Sequence, residues 1–334
     1  MNWEFWPFSI FYFPIYFYFT WLAIKARSFF FFTAANPNID FGGMLGEKKS
    51  EIFDQIPKEY IPKTIFIKAG ERAKAIDQGY KMGYPLIAKP DIGERGRLVE
   101  KISNEKALIK YVEKCPIDFM IQELVDFPIE LGVFYVKHPQ EQKGRVTSIV
   151  QKKLMSVVGD GKSKISTLLQ QNPRAMLQVD FKHSRFTSLM GRVPKEGEEV
   201  IIEPIGNHCR GTIFLDKTEE IDEKLCQAFD RLAAQVPEFY FGRFDLLCQS
   251  YSDLRELKNF KIVELNGAGA EPGHIYQPGF SLLKGYKVMF QHFKWLYEVS
   301  VQNKKRGIKH WTFKRGMAKL KTIKEHNKLI EQLI

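Results

Sequence analysis

The sequence predicts an α/β fold from about residue 58 onward. Short apolar runs alternate with segments of helical periodicity, which is the pattern of packed helices and sheets. The helical segments carry stop signals; "IKAGERAKAIDQGYKMGYP" ends at Gly83 with Pro85 just beyond. Two late strands, "FYFGRFDLLC" (239–248) and "FKIVELN" (260–266), flank a polar stretch and read as a hairpin.

Composition fits a folded chain. The 334 residues are 44% hydrophobic and 27% charged, enough for about two domains or one domain with subdomains. Cys115, Cys209, Cys226 and Cys248 fit neither a disulfide framework nor a CxxC metal site, so a reducing, cytoplasmic compartment is expected. The net charge of +11 is uneven: residues 301–334 hold ten Lys or Arg against Glu325 and Glu331, a net +8.

Five regions are expected. Residues 1–35 form a hydrophobic aromatic segment, 36–59 a connector, 60–125 a first α/β subdomain, 126–300 a second subdomain, and 301–334 a basic amphipathic tail. Residues 5–24, "FWPFSIFYFPIYFYFTWLAI", carry no charge and have about the length of a membrane span. The Tyr and Trp content and Pro14 favour an interfacial anchor equally, and Lys25 with Arg27 would place the succeeding domain on the cytoplasmic face. A cleavable leader fits poorly, because Glu4 precedes the apolar run and no small-residue cleavage site is evident. The tail interleaves Trp311, Phe313, Leu320, Ile323, Leu329 and Ile330 with its cations, and is expected on anionic lipid rather than nucleic acid. A solvated helix is its bland alternative.

In the first subdomain the helix of "IKAGERAKAIDQGYKMGYP", which stops at Gly83, puts Ala73, Ile76 and Tyr80 on one face. Leu86 to Ala88 make a short strand ending at Lys89. A loop with Gly93 and Gly96 leads to a strand near Leu98. A lysine beside a glycine loop suits phosphates, because backbone N–H groups approach closely there and Arg95 or Arg97 adds charge. No GxxxxGK[ST] occurs. A helix over 104–114 leads to strands on either side of a turn at Asp126–Pro128, where Gln122 to Val125 could offer backbone groups to a purine edge.

In the second subdomain "VVGDGKSKI" is a tight turn into a helix with Ser163 as N-cap, and Asp216 to Glu219 has capping-box spacing. The 239–266 hairpin carries the chemistry. Its symmetric pairing sets Asp245 opposite Glu264, with Cβ atoms ~5 Å apart, Asn266 beside Glu264 and Arg243 beside Asp245. Facing carboxylates repel unless a cation lies between them, and carboxylate plus amide oxygens suit Mg²⁺, completed by substrate phosphates. Gly267 and Gly269 are expected to leave space beyond them. No Ser/His/Asp arrangement suggests a side-chain nucleophile. Glu271, His274 and Tyr276 in "EPGHIYQPG" are candidates for an acceptor pocket.

The motifs GRFD (242–245), VELN (263–266) and AKP with its glycine loop (88–96) resemble the ATP-grasp superfamily of carboxylate–amine ligases. Their arrangement is similar to D-alanine–D-alanine ligases. VVGDGKSKI and the NHCRGT loop (207–212) look more like cyanophycin synthetases. The resemblance spans roughly residues 60–300 and implies an ATP-grasp fold, two α+β subdomains gripping ATP. It implies that Lys89 holds the α/β-phosphates and that Gly93, Glu94, Arg95 and Gly96 cover the β/γ-phosphates. It makes Gln122, Glu123, Leu124 and Val125 the adenine hinge, Glu130 the ribose carboxylate, and Lys153 a second phosphate lysine. Arg243 steadies the transferring phosphoryl group, and Asp245, Glu264 and Asn266 bind one or two Mg²⁺ or Mn²⁺. The implied reaction forms an amide through an acyl phosphate, on small-molecule or lipid-linked substrates at the membrane surface. The competing reading is a nucleotide-binding membrane adaptor. The sixty residues before the resemblance leave no room for the Rossmann-like domain of D-alanine–D-alanine ligases, so D-alanine specificity is not expected.

Overall fold

A computed structural model describes residues 3–94, 96–171, 175, 189–203, 206 and 211–333. The architecture is mixed α/β, as the alternation of patterns predicts. The chain divides into two units, one of residues 1–151 with 216–334 and one of residues 152–215.

The first unit contains two sheets. In the smaller, β1 (Thr64–Ile67), β2 (Leu86–Pro90), β3 (Glu100–Ile102) and β4 (Phe119–Glu123) stand in the order β1-β4-β2-β3. Helices α1 (Phe8–Ala26) and α2 (Lys49–Phe53) precede this sheet; α3 (Arg72–Met82) and α4 (Glu105–Lys114) pack on it through Ala75, Leu108 and Tyr111. The buried face of α3 is not the expected one. Ala75 and Gly79 are inside, whereas Tyr80 is 75% exposed. Gly79 decides this, because a Cβ there would lie 2.4 Å from Leu108 Cδ2. The smallest residues mark the contact, not the largest.

The larger sheet is built on β5 (Ile129–Val136), β6 (Arg145–Lys153), β10 (Phe241–Cys248) and β11 (Phe260–Asn266). Its order is β11-β10-β5-β6; β9 (Ile213–Asp216) precedes β10 in the chain. β4 and β5, on either side of the 126–128 turn, therefore belong to different sheets. Phe244 and Leu246 point into a core with Phe239 and with Leu225, Phe229 and Leu232 of α6 (Glu223–Ala233). The N-cap of α6 is Asp222, whose carboxylate accepts from Leu225 N at 2.8 Å. Asp216, the expected cap, instead closes the turn before it by accepting from Thr218 N at 2.9 Å. Short α7 (Tyr251–Arg255) lies within the 239–266 hairpin connection.

The other face of the larger sheet meets α8 (Leu282–Lys305) and α1, through Phe134, Phe241, Leu296, Leu22 and Phe31. The connector is threaded into this core. Buried Asn36 donates to Phe241 O at 2.8 Å, and its Oδ1 accepts from Tyr240 N and Phe241 N at 3.0 Å. Gly267 and Gly269 serve this threading rather than leaving open space. Ala268 N and Gly269 N donate to Gly42 O and Gly43 O, and a Cβ on Gly267 would sit 2.6 Å from Gly42 O.

The basic tail is the helix α9 (Phe313–Gln332), and part of its apolar side is used by protein. Ile323 and Ile330 are buried, and Gly316 lies against Phe30. Ile323 and Ile330 therefore face protein, whereas Phe313, Met317 and Leu329 are exposed with the charged side chains. Among the described residues no helix is long and apolar enough to cross a membrane.

In the second unit β7 (Met155–Val158) and β8 (Glu199–Glu203) form an antiparallel pair beside α5 (Ile165–Gln170). Ser163 is not the N-cap of α5, which begins after Lys164. Its hydroxyl donates to Asp160 Oδ2 at 2.6 Å, closing the glycine turn instead. Cys115, Cys226 and Cys248 are free thiols.

Candidate active site

The β10–β11 register agrees with the symmetric pairing: Asp245 opposes Glu264 and Arg243 opposes Asn266. Directly paired residues share a face, so these four side chains stand together. A bulge after Asp245 shifts the rest of the ladder. On the other side of β10, Asp245 pairs with Gly132 and Leu247 with Glu130. Period-2 alternation puts Glu130, half-buried at the start of β5, on this same face.

Gly132 has a definite reason to be glycine. A Cβ there would lie 3.1 Å from Arg243 Cδ, 3.2 Å from Asp245 Oδ1 and 2.9 Å from Val150 Cγ1. The space is taken by the pair itself. Arg243 Nε and Nη2 donate to the two Asp245 oxygens at 2.6 and 2.9 Å, a bidentate clamp. Asp245 is 3% exposed. Burial opposes the charge on Arg243, but the adjacent Asp245 outweighs it and holds the guanidinium ionised.

A side-chain cation also meets Glu264. Lys49 Nζ lies 3.5 Å from its Oε1 and donates to Gly93 O at 2.7 Å. Both facing carboxylates thus have protein cations, and the hairpin's stability does not by itself require a metal. Unsatisfied polar atoms lie nearby. Glu47, Lys49, Ile52, Phe53, Glu264, Leu265 and Asn266 line one small pocket. Glu47 Oε2 and Asn266 Nδ2 are buried there without hydrogen-bond partners. Burial pushes the Glu47 carboxyl up, and Glu94 and Glu264 push it further. The choice of amide O or N is a matter of assignment, so Asn266 can equally turn its oxygen to the pocket. Glu47, Glu264 and Asn266 bring two carboxylates and an amide to one pocket, an oxygen-donor chemistry that suits a hard cation. Among the described residues no group of three His, Cys, Asp or Glu is placed to hold a metal ion; the set here is mixed carboxylate and amide.

Lys89 is the penultimate residue of β2 and is 7% exposed. Its ammonium donates to Gln122 Oε1 at 3.1 Å and Val263 O at 2.9 Å, the second bond joining the smaller sheet to β11. Burial brings its pKa down to about 8, while Glu264 pulls it back up. Gln122 is fixed from the other side, donating to Thr64 Oγ1 at 2.8 Å. Glu123 ends β4, and Leu124 and Val125 continue as half-buried irregular chain. The glycine loop runs from Gly93 through exposed Glu94 to Gly96, whose φ of 69° is readily adopted by glycine. Arg95 lies outside the described residues, as do 207–210 of the NHCRGT loop. Arg97 is turned away, 3.4 Å from Glu331 of α9. Lys153 is exposed at the end of β6, in the second unit.

On the acceptor side, Arg243 Nη1 donates to Glu271 O at 3.0 Å. The Glu271 carboxylate accepts from Tyr276 Oη at 2.7 Å and from Tyr12 Oη of α1. Burial raises its pKa to about 7. His274, the third candidate there, is 6% exposed against Phe280, and burial lowers its pKa. Lys49, Glu47, Gly132 and Tyr12 were missed by sequence reasoning. Only Lys49 carried a usable signal, as one of a Lys-Lys pair two residues after Gly46.

No protein-family model matches the chain. No curated protein sequence matches it either. Solved structures do. One is a bifunctional glutathione synthetase from Pasteurella multocida, at 13% identity over 73% of this chain and 36% of that one, TM-score 0.36. Another is a D-alanine–D-alanine ligase from Bacillus anthracis, at 12% identity over 78% and 67%, TM-score 0.42. A third is a carboxyaminoimidazole ribonucleotide synthase from Aspergillus clavatus solved with ATP, at 11% identity over 75% and 52%, TM-score 0.43. The chain therefore spans from about a third to two-thirds of the length of these proteins. These solved structures are ATP-grasp ligases.

Proposed function

We propose that the chain is an ATP-grasp ligase that joins a carboxylate to an amine at the expense of ATP. One observation carries the reading: Lys89, Lys49 and Arg243 converge on the face that holds Asp245, Glu264 and Asn266. Three cations beside three oxygen donors suit a triphosphate and the divalent ion that accompanies it.

Lys89 and Lys49 bind phosphate oxygens, with the Gly93–Gly96 loop covering them. Gln122 to Val125 receive the adenine, and Glu130 the ribose. Glu264, Asn266 and Asp245 would hold Mg²⁺ or Mn²⁺, and Glu47 would add a further carboxylate. The ion supplies charge neutralisation on the phosphates when bound. The substrate carboxylate oxygen attacks the terminal phosphorus and ADP leaves. The amine then attacks the acyl carbon, the C–N bond forms and phosphate departs. Arg243 steadies the negative charge in both steps, and Glu271 takes the proton released by the amine. Catalysis is by positioning and charge neutralisation. The substrates are small-molecule or lipid-linked acids and amines.

ADP release, screened across amino acids and lipid extracts, tests the reading. Asp245→Asn and Glu264→Gln should each abolish turnover with the far-ultraviolet spectrum unchanged. Wild-type turnover in both variants would remove the site assignment.

A further inference from the structure

Helix α1 is apolar all round, a composition that belongs either in a protein core or in a membrane. Protein covers only half of it. Phe11, Ile15, Leu22 and Ala26 are buried. Ile10, Phe13, Phe17 and Ile24, at helical spacing on the opposite side, are 54%, 62%, 65% and 70% exposed. Tyr16 and Trp21 flank them, also about half exposed. The outward face of α1 is thus a long aromatic and aliphatic stripe in contact with water.

The C-terminal end of that stripe opens into a groove of about 910 Å³ between α1 and the α8–α9 turn. Ile24, Phe29 and Phe313 give it apolar walls, and Arg27, Lys304 and Lys309 line it with positive charge. Residues 5–35 and 299–324 contain no Asp or Glu, so nothing acidic from either segment offsets these cations. An apolar stripe running into a basic, apolar-walled groove has the layering of a bilayer surface, acyl chains beside phosphate headgroups.

We propose that this face docks the protein on a bilayer of anionic phospholipid. The α1 stripe enters the acyl boundary, and the groove takes a headgroup phosphate between Arg27, Lys304 and Lys309. The charge selects an anionic bilayer over a second copy of the chain, because two copies joined here would bring two basic grooves together. The attachment belongs to α1 and the groove; α9 contributes Phe313 to the groove wall, while its Ile323 and Ile330 remain packed in the protein. It stands independently of the ligase reading, since lipid binding and ATP turnover are measured separately.

The test is flotation of the full chain with vesicles of phosphatidylcholine alone and of phosphatidylcholine mixed with phosphatidylglycerol. The protein should float with the mixed vesicles and be released in part by high salt. Phe13→Ser/Phe17→Ser/Ile24→Ser should abolish flotation. Arg27→Gln/Lys304→Gln/Lys309→Gln should weaken it by roughly a hundredfold. Circular dichroism should show both variants folded, because the altered side chains are not in the core. The proposal fails if the protein floats with neither vesicle, or equally with both, or if the serine variant floats like the wild type. A concentration-dependent dimer, lost in the serine variant and accompanied by no flotation, would assign the stripe to a second copy and also overturn it.

Discussion

On the β10–β11 hairpin, Arg243, Asp245, Glu264 and Asn266 share a face partly withdrawn from water, with Asp245 buried. On α1, Ile10, Phe13, Phe17 and Ile24 share a face set out in it. Each reverses the ordinary placement of its residue types, and both reversals cost free energy. The hairpin offsets the cost internally with a bidentate Arg–Asp pair and a lysine from α2, leaving the Glu47 and Asn266 atoms unmet. Among the described residues nothing covers the α1 stripe. The difference separates a site completed by a small ligand from a surface completed by a large one.

The comparison breaks most visibly at Arg243. Arg243→Met leaves Asp245 buried and uncompensated, so we expect about 3–5 kcal/mol of lost stability in urea melts. Turnover should fall by about a thousandfold, as for removal of a donor to a developing charge. A loss below ~1 kcal/mol, the size of a surface pair, would mean that the pair is not the keystone of the face. Gly132→Ala should come next, at about 1–3 kcal/mol from overpacking, with turnover lowered because the new methyl displaces the Arg–Asp clamp. Unchanged melting and kinetics would show that the strands part without consequence.

A smaller effect is the pH profile. Glu271 must be ionised to take a proton, and its pKa is raised to about 7. Lys89 must be charged to hold phosphate, and its pKa is lowered to about 8. Turnover should therefore rise through 7 and fall through 8, a narrow bell. Glu271→Gln should flatten the acid limb of whatever activity is left. Both shifts arise from burial of the charged form, so neither group adds stability. The cost at Glu271 sets in as pH rises from 4.5 to 7, and that at Lys89 is relieved from 8 to 10.5. The smallest expected effect is none: the serine substitutions on the α1 stripe should leave soluble-substrate turnover unchanged. A large fall would tie the stripe to the hairpin after all.

The hairpin was legible because both its signals are local. Alternation gave the face, and the midpoint between Asp245 and Glu264 gave the register. The α3 face was misread because small residues, silent in a hydrophobic pattern, made the contact. Asp216 was taken as a cap because spacing alone does not reveal which of two nearby acids meets the helix. Gly267 and Gly269 looked like an opening and are a crossing with residues 42–44, which no local pattern records. Lys49 and Gly132 reach the site from far along the chain, so only the fold assembles them. Apolar residues in α1 and α9 read alike in sequence; packing leaves Phe13, Phe17 and Ile24 of α1 outward and takes Ile323 and Ile330 of α9 inward.

Calorimetric titration of ATP into the protein, with Mg²⁺ and then with the metal chelated, tests the central claim most directly. ATP should bind in Mg²⁺, weaken strongly on chelation, and lose the metal-dependent part in Glu264→Gln. Equal affinity with and without Mg²⁺, unaltered by Glu264→Gln, would contradict the assignment of this face to a metal-bound nucleotide.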